Sequence, residues 1–255
     1  MANLVGSQVH ESQITEVSHG ITTLEHRPAI EQASNQKLLT ISIFAEVYLV
    51  DGKTIRKAPR SHSEDDMESV IREATIYNMM DDHPRIAQCT SQGRTDLAVE
   101  VIHRYGVIHS DLALRQFFDD DELNIRLGDF NSSQYPEHPA LGYEKATHCL
   151  PREYAQPNTV LSDLFALGST LFELVTGKAP YAEFYPVEFR DIAPSHIQIL
   201  TRAQQRRAAD AEVETRFRNV QFPDVSHVFQ GDIILGCWSG IFSSAEVLRE
   251  DRTSA

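Results

Sequence analysis

Residues 106–131 read GVIHSDLALRQFFDDDELNIRLGDFN, and the rest of the chain is best interpreted outward from them. A His-x-Asp triplet (His109, Ser110, Asp111) is followed by the amide Gln116. The dipeptide Asp129, Phe130 comes 18 positions after Asp111. An aspartate that can receive a hydroxyl proton, with an amide and a second aspartate that can hold a metal, is the inventory that phosphoryl transfer from ATP needs. Type, order and spacing agree at once, which composition alone seldom produces.

The whole-chain numbers set the frame. At 255 residues the chain is long enough for one large domain or two lobes, and 41% apolar residues can fill a core. Against 23 basic residues stand 37 acidic ones, a formal charge of −14 that argues against a nucleic-acid or anionic-membrane surface. The three cysteines (Cys89, Cys149, Cys237) have no metal-binding spacing and read as free thiols in a reducing compartment. The opening MANLVGSQVHESQ has no apolar run, so no secretory signal is expected. A soluble cytoplasmic or nuclear protein is the expectation.

Residues 1–36 are polar with little periodicity and read as a disordered tail. From Leu38, LLTISIFAEVYLVDGKTIRKA alternates and is rich in β-branched and aromatic residues, with a turn signal at Asp51 and Gly52. A β-hairpin is predicted there. Ser63 caps a predicted helix whose first turn carries Glu64, Asp65 and Asp66 and whose apolar face is Val70, Ile71, Ala74, Tyr77 and Met80. Glu68 and Glu73 both lie on this helix. The run Asp119, Asp120, Asp121 lacks the alternating ligands and glycine of a calcium loop and reads as a solvated turn. Residues 162–177, SDLFALGSTLFELVTG, form the clearest helix, with Ser162 as expected cap and Gly177 as its end. It is apolar nearly all round, as a core helix is. Residues 188–211 are polar, with Arg202, Arg206 and Arg207, and read as an insertion or an exposed helix.

The quoted stretch resembles the H-R-D-L-x-x-x-N catalytic loop and the D-F-G metal loop of eukaryotic protein kinases. Outward from it, Ile55, Arg56 and Lys57 resemble the V-A-I-K strand. Pro151, Arg152 and Glu153 stand in the place of A-P-E, 24 positions after Asp129. Asp163 and Gly168 match the D-x-x-x-x-G of the buried large-lobe helix. The resemblance runs from about residue 47 to 248, better in the second half, with a fungal flavour in SDLFALGST. It implies an α+β, kinase-like bilobal fold: a lead-in over 1–36, a truncated β-rich N-lobe over 37–95, and a mostly helical C-lobe over 96–255. It implies ATP and Mg2+ as cofactors and a protein substrate or binding partner. Residue by residue, it makes Asp111 the base or hydroxyl-orienting group and Lys57 the phosphate-holding lysine. Glu73 becomes its partner, with Glu68 the competing choice. Asp129 is implied to hold the magnesium that bridges the β- and γ-phosphates, with Gln116 as second metal ligand, and Val47 to contact the nucleotide. Asp163 is implied to accept hydrogen bonds from the catalytic-loop backbone.

Several positions depart from the pattern. No G-x-G-x-x-G precedes Val47: residues 41–46 are ISIFAE. Without glycines the backbone cannot approach phosphates closely, and Glu46 would add negative charge there. Gln116 replaces asparagine, and one extra methylene moves the ligand by about 1 Å, which can cost roughly 100-fold. Asn131 replaces the glycine of D-F-G, and asparagine tolerates a positive φ. Ser110 replaces the arginine that grips a phosphorylated activation segment. The late arginine that pairs with Glu153 has no clear equivalent. Asp111 follows Glu73 by only 38 positions, so a hinge strand and most of two helices are missing near residues 93–96. A natural deletion and a splicing product both account for this.

Three functions fit. The first is a protein kinase moving the ATP γ-phosphate to a protein hydroxyl, serine or threonine first, impaired by the missing hinge. The second is a pseudokinase binding module, and the third a small-molecule phosphotransferase.

Overall fold

The computed structural model describes residues 3–5, 12–14, 24–26, 36–50, 54–80, 86, 95–119, 125–142, 144–153, 156–186 and 196–245. The chain separates into two compact units, residues 1–98 with 118–133, and residues 99–117 with 134–255. Its make-up is mixed α+β. No helix among the described residues is long and apolar enough to cross a membrane.

Within the polar lead-in lie three strands of three residues, β1 (Asn3–Val5), β2 (Ser12–Ile14) and β3 (Leu24–His26). The first pairs in parallel with a later strand and the other two pair with each other. Such short strands rest on backbone pairing and need no apolar alternation, which is why the sequence carries no sign of them. The alternating stretch then makes β4 (Gln36–Ile41), β5 (Ala45–Val50) and β6 (Thr54–Pro59). The sheet order is β1-β6-β5-β4, antiparallel except for the β1 pair. The signalled turn at Asp51 and Gly52 lies outside the described residues. A second turn, at 42–44, splits the stretch into two hairpins. The Ser42 N–H donates to the Ala45 carbonyl at 2.8 Å and the Ala45 N–H to Ser42 Oγ at 3.0 Å, so one serine closes that turn. The outermost strand, β4, leaves Leu38, Leu39 and Ile41 exposed.

Helix α1 (Glu64–Met80) starts as expected: the Asp66 N–H donates to Ser63 Oγ at 3.2 Å. Its buried face is Ser69, Val70, Arg72, Glu73, Ile76, Tyr77 and Met80; Ile71 and Ala74, expected there, are only half-buried. The face rotates because it carries two charged side chains inward, which an apolar pattern cannot register. Helix α2 (Thr95–Arg104) follows, then the paired strands β7 (Phe117–Asp119) and β8 (Ile125–Leu127). The acidic turn at 120–124, the gap region near residue 93, and Cys89 lie outside the described residues.

In the second unit, helix α3 (Val160–Thr176) is buried at every residue from Ser162 to Leu171. Its cap is Thr159 and not Ser162. The Thr159 hydroxyl accepts the Ser162 N–H at 3.3 Å while Ser162 Oγ accepts the Thr159 N–H at 2.9 Å, a reciprocal capping box that starts the helix two residues early. Gly177 ends it at φ 73°, as expected. Residues 196–218 form one 23-residue helix, α4 (His196–Arg218), which takes in most of the polar segment expected at 188–211 and runs past its end. Helix α5 (Gly231–Trp238) packs on α3 so closely that a Cβ on Gly168 would lie 2.7 Å from the Cys237 Cβ. Trp238 is core: its indole N–H donates to Ser169 Oγ at 3.0 Å, and Phe172, Phe217 and Phe222 surround its ring.

Candidate active site

The first unit holds four of the expected residues. Val47 on β5 stands directly opposite Lys57 on β6. Because side chains alternate along a strand, Glu46 points to the other sheet face, where its carboxylate accepts the Tyr48 hydroxyl. The expected negative charge near the phosphates is therefore directed away from Lys57. The Lys57 ammonium lies 2.9 Å from each carboxylate oxygen of Glu73 and also donates to Asp129 Oδ1. Glu68, the competing partner, instead pairs with Arg72 at 2.6 Å.

Lys57 and Glu73 are largely buried, and Asp129 is open to solvent on one side. Side-chain exposure is 15% for Lys57, 6% for Glu73 and 30% for Asp129. Burial pulls the Lys57 ammonium down, but the Glu73 and Asp129 carboxylates outweigh it and hold it above the ordinary lysine range. Burial pushes Glu73 up, with Lys57 opposing. Removing one member of such a pair leaves a buried charge uncompensated, typically at a cost of about 3–5 kcal/mol.

Two residues that sequence reasoning assigned no role hold the loop at 129–133. Arg72, 1% exposed, donates to the Ser133 carbonyl at 2.7 Å. Tyr77 accepts the Asp129 N–H at 3.3 Å and lays its ring edge-on to Phe130, centroids 5.2 Å apart. The positive φ of this loop falls on Asp129 (64°) and not on Asn131, where glycine's replacement had suggested it. A non-glycine residue held there stores about 1–3 kcal/mol of strain.

The second unit holds Asp111 and Gln116. Asp111 Oδ1 is paired with Arg115, four residues on, and Oδ2 accepts the Gln116 amide N–H at 2.9 Å. Gln116 is 3% exposed, and its NH2 also reaches the Asp111 carbonyl at 3.3 Å. An amide nitrogen cannot ligate a cation, so only the Gln116 carbonyl oxygen is left for the metal role expected of it. Asp163, fully buried, accepts the backbone N–H of His109 at 2.7 Å and of Ser110 at 3.1 Å, as the sequence implied, and lies 3.0 Å from His103 Nε2. The open partner of Glu153 is Arg218 at the end of α4, at 3.9 Å. Nothing local in the sequence linked these two, 65 positions apart. Arg152 pairs with buried Glu144 at 3.1 Å and also donates to Asn158.

The family described as protein kinase domain matches residues 93–220, which is 128 of the 255 residues and half of the chain. The chain belongs to the protein kinase family. This kinase-family match contains Asp111, Gln116 and Asp129 and stops short of Val47, Lys57 and Glu73. Among curated kinases, the tyrosine-protein kinase Drl of Drosophila melanogaster is 32% identical over 104 residues, 36% of this chain and 16% of Drl. The carbon catabolite-derepressing protein kinase of Candida tropicalis is 30% identical over 105 residues, 38% of this chain and 16% of that protein. The serine/threonine-protein kinase ppk16 of Schizosaccharomyces pombe is 30% identical over 94 residues, 34% of this chain and 14% of ppk16. The matched stretch thus spans roughly one sixth of each of these kinases' own length.

Proposed function

We propose that this chain is an ATP- and Mg2+-dependent phosphotransferase that moves the γ-phosphate to a protein hydroxyl, serine or threonine first. The observation that carries the reading is the Lys57 ammonium bonded at 2.9 Å to both Glu73 oxygens with Asp129 as its third partner. A lysine fixed this way presents a positioned positive charge, which phosphoryl transfer uses to hold phosphates. Val47, opposite Lys57, would contact the nucleotide. Asp111 would orient the acceptor hydroxyl and receive its proton.

Oxygen donors suit magnesium, which is commonly held by one or two carboxylates together with substrate phosphates. Asp129, in the first unit, would offer its carboxylate; for Gln116, in the second unit, the donor left is the carbonyl oxygen. A magnesium ion held there would neutralise phosphate charge. The kinase-like lobes, 37–95 and 96–255, the shortened N-lobe and the fungal flavour belong to this same reading.

A second reading, a non-catalytic binding module, is favoured by Arg115. Its guanidinium pairs with one oxygen of Asp111, the carboxylate expected to face the acceptor hydroxyl. Thermal unfolding with ATP, with and without Mg2+, separates the two readings. The enzyme should show a Mg2+-dependent upward shift that Asp129→Asn abolishes, together with phosphate transfer to a protein acceptor. No shift and no transfer would leave the binding module.

A further inference from the structure

Tyr77 sits one helical turn after Glu73 on α1 and is 8% exposed. Its hydroxyl accepts the backbone N–H of Asp129 at 3.3 Å and is hydrogen-bonded to the Glu73 carboxylate. Its ring meets Phe130 edge-on, planes at 80°. One side chain therefore touches three consecutive parts of the cluster: the carboxylate that grips Lys57, the backbone of the carboxylate proposed for the metal, and the ring beside it.

We infer that the Tyr77 hydroxyl is a positioning group, holding Asp129 in its left-handed conformation and Glu73 in reach of Lys57, and thereby setting the divalent-cation requirement for nucleotide binding. The cation part rests on the function proposed above. A hydroxyl donates one hydrogen bond while accepting another, so it satisfies a carboxylate and an N–H together; an aliphatic or phenyl side chain does neither. Donation to a carboxylate is among the stronger hydrogen bonds. Asp129 gains most, because its strained backbone persists only where the surroundings over-determine it. Burial raises the phenol well above its ordinary range, so the group stays protonated and able to donate throughout the working pH range.

Tyr77→Phe in the full chain tests this, since it keeps the ring on Phe130 and removes one oxygen. Two quantities are read: amide hydrogen exchange at Asp129 without nucleotide, and the Mg2+ concentration that gives half of the ATP-induced thermal shift. Exchange at Asp129 should quicken about tenfold while amides of α3 keep their rates, and the Mg2+ requirement should rise about tenfold. Unaltered exchange at Asp129 overturns the inference, whatever nucleotide does. Faster exchange with an unmoved Mg2+ requirement makes Tyr77 merely structural and overturns it too. If the unsubstituted chain shows no Mg2+-ATP shift, the proposed function fails along with the cation part, and the exchange rate still decides whether Tyr77 holds Asp129.

Discussion

Asp163 holds Ser110 in a conformation that serine rarely adopts. Ser110 has φ 67°, its N–H donates to Asp163 Oδ1 at 3.1 Å, and both side chains are fully buried. The neighbouring His109 N–H takes the other oxygen. Asp163→Asn replaces one acceptor with a donor facing an N–H. It should cost about 2–3 kcal/mol, the worth of a charge-assisted hydrogen bond plus the unsatisfied donor. Urea unfolding would register this as a lower midpoint with an unchanged slope. An unchanged midpoint would mean that Ser110 keeps its conformation without help.

Lys57 and Glu73 should be energetically coupled. Lys57→Met and Glu73→Met each leave a buried charge without its main partner, and each should destabilise by about 3 kcal/mol or more. The double substitution should recover at least ~1 kcal/mol of the sum. A double-mutant cycle in urea measures the recovery, and strict additivity would argue against the pair.

Glu144 supplies a pH dependence. Burial, partly offset by Arg152, raises its carboxyl from 4.5 to about 7. Between those values the folded chain keeps a proton that the unfolded chain releases, so stability must fall as pH rises through the window. The contribution is fully present below pH 4.5 and is lost above pH 7, a total of about 3 kcal/mol. Glu144→Gln should flatten the curve of unfolding free energy against pH between 5 and 7.5. A curve that runs parallel to that of the unsubstituted chain would show that Glu144 titrates normally.

Gly168→Ala tests the α3–α5 contact. The added methyl would lie 2.7 Å from the Cys237 Cβ and 3.2 Å from the Ile234 carbonyl oxygen, so the helices must separate. Overpacking of this kind costs about 1–3 kcal/mol. Cys237→Gly in the same chain removes the Cβ that the methyl meets and should relieve part of it beyond glycine's own helix cost of about 1 kcal/mol, and calorimetry can compare the midpoints.

Much of this architecture was legible from local chemistry. Ser63, Gly177 and the buried run in α3 follow from capping, φ preference and apolar content, each read within a few residues. Candidate site residues can be named from the sequence because loops carry chemistry in fixed order. What stayed hidden was tertiary. Arg218 lies far from Glu153 in sequence, and Tyr77 reads as one more apolar residue until its hydroxyl is seen between Glu73 and Asp129. Thr159 precedes two apolar residues and carries no cap signal of its own, so the local pattern points to Ser162 until the reciprocal bond is seen. Glu46 was misjudged because its effect depends on strand register, which pattern alone leaves free by one residue.

The serine-closed turn at 42–44 has a bearing on turnover. Three residues tied shut by one side chain form no pliable canopy, so a triphosphate gripped by Lys57 would stay in contact with bulk solvent. A reactive phosphate exposed in that way meets water as readily as a protein hydroxyl, since excluding water is what suppresses such leakage. Catalysis here would be expected to spill part of each turnover into free phosphate, making hydrolysis of ATP without any acceptor the signature to look for.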